Sequence, residues 1–186
     1  MKKTTIITIY ILLTNFMFGQ SLNHLDVKNG FKHFKFGSSP KQIKDIEKVT
    51  NQFSQNSDVV EYYYTGKEIN YISDVKIYRI QLSFYKNKLF SILISFGDFD
   101  DDFDGIEYNS ILYSLERLYG KNWNNPTNKD GKIINGAIWC GKVVNLELFR
   151  IDYSKSKTKP YDYGFISGYM SIENKDISKQ LILEEF

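Results

Sequence analysis

Apolar and polar positions alternate most regularly between residues 75 and 97, where two runs flank Lys86-Asn87-Lys88. A period of two marks a strand with one buried face, and a short polar turn whose Asn tolerates a left-handed backbone marks a hairpin. Setting Tyr85 opposite Leu89 puts Phe84 against Phe90, Leu82 against Ile92, Ile80 against Ile94 and Tyr78 against Phe96 on one apolar face. Arg79, Gln81, Ser83, Ser91 and Ser95 fall on the other face, so a slip of one residue would expose the whole apolar set.

On either side of this hairpin the period changes. Ser39-Pro40-Lys41-Gln42 reads as a helix start, with Ser39 as N-cap, Pro40 at the first helical position and Gln42 closing a capping box. Ile43, Ile46 and Val49 supply its apolar stripe, which predicts a short helix ending near Asn51. Residues 59–65 read as a strand broken by Gly66. Beyond the hairpin, Asp104 or a neighbouring Asp opens a second helix in which Ile111, Leu112, Leu115, Leu118 and Tyr119 recur at helical spacing, with Gly120 placed to end it. Strands follow at 133–139, 142–152 and 163–172, and a closing helix at about 176–183. The expected fold is α+β: two helix-plus-three-strand pseudo-repeats, about 31–97 and 104–173, forming an antiparallel sheet with the helices packed on one face. Neither half buries its sheet face alone, so both share one core within a single domain, 21–186.

Composition sharpens this picture. With 186 residues, 42% apolar and 25% charged, the chain is long enough for one continuous core. Fourteen Tyr, fourteen Phe and only three Pro favour sheet over helix. Lys2 and Lys3 followed by an apolar run over residues 6–18 have the form of a secretory signal, expected to end near residue 20. That run is too short to cross a bilayer, so no stable membrane insertion is expected after its removal, and the expected location is the periplasm or the exterior. Loss of residues 1–20 takes away two Lys and no acid, lowering the formal charge from +2 to zero. A neutral chain lacks the cationic surface that polyanions require, which argues against nucleic acid as a partner. The one basic cluster, over 154–159, reads as a solvated loop.

The lone Cys140 has no disulfide partner, and the only two His, His24 and His33, lie near the start of the mature chain. Cys140 is therefore expected to be a small buried hydrophobe, not a nucleophile. No nucleophile elbow, phosphate-binding loop, dinucleotide fingerprint or zinc motif occurs.

The segment Phe34-Lys35-Phe36-Gly37-Ser38-Ser39-Pro40 resembles the opening of small exported bacterial proteins of unknown function. Leu115-Glu116-Arg117-Leu118-Tyr119-Gly120-Lys121, followed by Trp139 and residues 143–148, is similar to their second half. This resemblance, over most of 31–152, implies an α+β repeat fold and carries over no active site. In arrangement alone, the tandem helix-plus-sheet units are similar to secreted β-lactamase-inhibitor-type proteins, which bind a partner through the sheet.

Three clusters hold candidate chemistry. Asp100, Asp102 and Asp104 alternate before Gly105, as in the opening of a calcium loop. The closing Glu is missing, since position twelve is Ile111, and the competing assignment is a set of carboxylates facing a helix N-terminus. Tyr62, Tyr63 and Tyr64, with Tyr71 and Tyr78, offer rings for recognition. Alternation puts Tyr62 and Tyr64 on one face and Tyr63 on the other. Glu61, Asp74, Glu147 and Asp152 offer carboxylates for glycan hydrolysis. The expected function is a non-enzymatic exported module that binds another protein or an extracellular ligand. A calcium-binding module and a carboxylate-dependent glycan hydrolase are the alternatives.

Overall fold

The computed structural model describes residues 22–50, 58–97, 101–127, 131–153 and 165–184. The expected signal segment and the basic cluster at 154–159 lie outside them. Three helices are described: α1 over 22–28, α2 (Gly105–Tyr119) and α3 (Lys175–Glu184). None is long and apolar enough to cross a membrane. Two short hairpins, β1 (Gly30–Phe31) with β2 (Phe34–Lys35) and β5 (Tyr71–Ile72) with β6 (Val75–Lys76), stand beside a seven-stranded sheet. Its strands are β3 (Ile46–Lys48), β4 (Val59–Tyr64), β7 (Arg79–Tyr85), β8 (Lys88–Phe96), β9 (Ile133–Cys140), β10 (Val144–Asp152) and β11 (Ile166–Asn174). The spatial order is β3-β4-β7-β8-β11-β10-β9, antiparallel throughout, so the fold is α+β with a large antiparallel sheet. The last strands of two meanders, β8 and β11, pair at its centre.

The hairpin keeps its expected register over most of its length, with Leu82 opposite Ile92 and Ile80 opposite Ile94. Near the turn it departs. Lys86 and Asn87 both adopt positive φ, +48° and +63°, which makes a two-residue turn of the kind that suits the strand twist. Tyr85 therefore pairs with Lys88 and Phe84 with Leu89, and the spare residue, Phe90, is absorbed in a bulge. The bulge turns Phe90 and Tyr85 away from the main core. With Val59 they form a second apolar cluster on the opposite face, covered by Ile177 and Leu181 of α3. The helices are thus not confined to one face: α1 and α2 cover the main core, while α3 lies on the other side. Tyr78, expected opposite Phe96 in the core, lies just outside β7 and is 49% exposed.

The expected first helix is a single 3₁₀ turn, Pro40–Gln42, in which Gln42 Oε1 accepts from the Ser39 N–H at 2.8 Å. Asp45 then takes φ +55° and the chain becomes β3, paired with β4. Helix nucleation is costly for so short a segment, whereas the β4 edge offers backbone partners, and β-branched Ile46 and Val49 suit a pleated surface. Ile43 and Val49 are buried all the same. The helix of the second half forms as expected: Asp104 caps α2 by accepting from the Ile106 and Glu107 N–H groups at 2.7 and 2.8 Å, and Glu107 returns the bond. Gly120 ends it at φ +85°. Leu118, placed in the apolar stripe by its spacing, is exposed, and Tyr108 takes the buried position.

Candidate functional site

Alternation along β7, β8, β11 and β10 leaves a second sheet face that α3 covers at one end. Across the strands beyond α3 the first row runs Glu61, Ser83, Ser91, Glu173 and Asn145, and the next Tyr63, Gln81, Leu93, Ser171, Glu147 and Ile138. A further row brings Arg79, Ser95, Tyr169 and Phe149 into line. Most of these side chains are half-buried, so the face is a flat mixture of hydroxyl, amide, carboxylate and aromatic groups on rigid strands.

Two sets of contacts on this face stand out chemically. The Arg79 guanidinium lies 4.8 Å from the Tyr63 ring centroid and 5.1 Å from that of Tyr78, which makes an exposed cation-aromatic cluster at one corner. On β10, burial pushes the Glu147 carboxyl above its ordinary range, and the neighbouring Glu173 charge raises it further. Asn145, opposite Glu173, has a buried Oδ1 without a hydrogen-bond donor.

The structure separates the three expected binding tyrosines as alternation requires. Tyr63 reaches the open face, whereas Tyr62 and Tyr64 pack inward, edge-on to Phe84 and Phe34. Tyr71 is exposed on the β5–β6 hairpin, away from the large sheet. Of the acidic loop, Asp104 caps α2, and Asp102 Oδ1 accepts from the Ile166 N–H at 2.7 Å, tying the loop to β11. Asp100 lies outside the described residues. Among the described residues no group of three or more His, Cys, Asp or Glu is arranged to hold a metal.

The candidate hydrolytic carboxylates are scattered. Glu61 on β4 and Glu147 on β10 are four strands apart, or roughly 19 Å at ordinary strand spacing, beyond the ~5–9.5 Å that glycosidase pairs use. Asp74 sits in the β5–β6 turn and accepts from the Ser110 hydroxyl of α2. The neighbour of Glu147 is instead Glu173, a pairing that depends on β10 and β11 being adjacent. Cys140 is exposed at the end of β9, not buried, because it points to the open side of the sheet while Trp139 fills the core and donates to the Gly120 carbonyl at 2.8 Å. His24 packs near Tyr119, and His33 near Phe34 and Tyr64.

Several concavities lie on the helical side of the described residues, one of them, of about 310 Å³, between α1 and the β9–β10 turn. A cleft of about 360 Å³ between α2 and β9 is lined by uncharged groups, including Asn109, Trp123 and Asn135. A narrower pocket of about 190 Å³ lies where the end of α1, the β5–β6 turn and α2 meet above β10 and β11. Its mouth carries Lys28, Lys32, Ser73 and Ser114, none of them singled out by sequence pattern. The spacing of Lys28, Lys32 and Lys35 in one short stretch is the local signal that could have pointed to it. Compared with known proteins, the chain significantly matches no family model, no curated protein and no solved structure.

Proposed function

We propose that this chain is an exported, non-enzymatic binding module whose open sheet face recognises another protein or an extracellular ligand. The observation that carries this reading is the Tyr63-Arg79-Tyr78 cluster, continued along the face by Tyr169 and Phe149. Arg and Tyr are the residues that dominate recognition surfaces, and on strands they bind with little loss of side-chain freedom. Glu147 and Glu173 give the β10–β11 side of the face acidic character, which favours a partner with a cation opposite them.

Capture from envelope and culture fractions tests the reading. Wild-type protein is expected to retain a partner that the Tyr63→Ala/Arg79→Ala variant binds at least about tenfold more weakly, the scale of losing an Arg–aromatic anchor. Tyr71→Ala, an exposed tyrosine off the sheet, serves as the control and is expected to bind normally. Equal capture by wild type and the double variant overturns the sheet face as the recognition surface.

A further inference from the structure

The pocket beneath α2 has the architecture of a small-ligand site and owes nothing to the sheet-face reading. Its floor is apolar, formed by Leu115, Leu146, Met170 and Ile172, all buried. Its mouth is cationic. Lys28 is half-buried there with its ammonium 6.0 Å from the Phe31 ring centroid, and Lys32 stands beside it. Lys35 completes a cluster of three amines, its Nζ donating to the Lys28 carbonyl at 2.8 Å. The ion pairs among the described residues, Lys86–Glu184 and Lys121–Glu116, leave Lys28 and Lys32 without a carboxylate. Burial lowers the Lys28 pKa, and the charges of Lys32 and Lys35 lower it further. The hydroxyls of Ser73 and Ser114, 2.6 Å apart, add hydrogen-bonding capacity on the other side of the opening.

From this geometry we infer that the pocket binds a small amphipathic carboxylate, its tail on the Leu115–Leu146–Met170–Ile172 floor and its head between Lys28 and Lys32. An aliphatic cavity of roughly 150 Å³ is enough to hold a benzene molecule, so about 190 Å³ takes one ring or a short alkyl chain. Apolar walls with a few convergent polar groups are the usual form of such sites. The bound anion would supply the opposite charge that the crowded ammonium groups lack and would leave the tail out of water.

Octanoate, titrated calorimetrically into the full chain below the concentration at which it forms micelles, is the probe. One equivalent is expected to bind. Lys28→Met/Lys32→Met is expected to weaken binding by roughly tenfold or more, the scale of a charge-assisted contact. Octanamide, with the same tail and no charge, should bind the wild type about as weakly as octanoate binds that variant. Leu118→Trp, at the exposed rim of the pocket, should obstruct octanoate without lowering the melting temperature. No binding of octanoate, equal binding of octanamide, or unchanged binding to either folded variant overturns the inference. Inorganic phosphate binding as tightly as octanoate overturns the apolar half of it.

Discussion

Asp26 does more for the fold than its position in a short helix foretells. Its carboxylate accepts from the backbone N–H groups of Lys142, Val143 and Val144 at 2.8, 2.9 and 2.9 Å, joining α1 to the turn between β9 and β10. Burial acts to raise its pKa, yet the three donors and the Lys175 charge hold it below the ordinary value of 3.8. Asp26→Ala leaves those three donors without their partner and is expected to lower stability by on the order of 2 kcal/mol, measured by urea unfolding. Gly168 shows a different residue-scale dependence. A Cβ there would come within 2.3 Å of the Phe103 ring, which lies stacked on Phe96 with centroids 5.3 Å apart. Neither link is visible in local sequence, because the partners of Asp26 are more than a hundred residues away and the ring over Gly168 comes from the loop before α2.

At the scale of elements, local signals succeeded where the hydrogen bonds close locally. Asp104 and Glu107 are three residues apart, and the cap they form needs nothing else. Asp104→Ala is expected to cost about 1 kcal/mol, and Asp104→Asn much less, as read from the melting temperature. The same logic failed at Ser39, where a local start signal is followed by a segment that pairs with a strand edge instead of forming a second helical turn. In the central hairpin, Leu82 is fully buried, so Leu82→Asp is expected to prevent folding, whereas Ser95→Asp, opposite Arg79, is expected to melt near the wild type. Ser83→Asp is the more costly surface change because Glu61, only 6% exposed, stands directly across from it. Circular dichroism melts of these variants check the face assignment, and similar melting of Leu82→Asp and Ser95→Asp would refute it.

Over the whole molecule, strand order decides which charges meet. β11 lies between β8 and β10, so Glu173 and Glu147 are neighbours on one face although 26 residues separate them in sequence. Glu147 has a raised pKa in the folded state, so folding takes up a proton between the unfolded value, near 4.5, and the folded one. Stability therefore falls as pH rises through that window and stays lower above it. Glu147→Gln is expected to remove the decline and to be the more stable protein at neutral pH. Asp26 has the opposite sign, its contribution being complete above 3.8 and lost as pH falls through its lowered folded value. Urea unfolding from pH 3 to pH 8 resolves the two, and a wild-type stability that rises with pH across the Glu147 window, in parallel with Glu147→Gln, contradicts the Glu147 assignment. The sequence by itself determined the α+β class, the inward set of Ile80, Leu82, Ile92 and Ile94, the capped helix α2, and the split of Tyr63 from Tyr62 and Tyr64. All of these follow from periodicity and from bonds between residues a few positions apart. Tertiary structure alone decided that Phe90 and Tyr85 turn towards α3, that residues 46–48 join the sheet, and that Lys28 and Lys32 converge above Met170. Those outcomes depend on which edge or face is free once the rest has packed, a condition that no short stretch of sequence encodes.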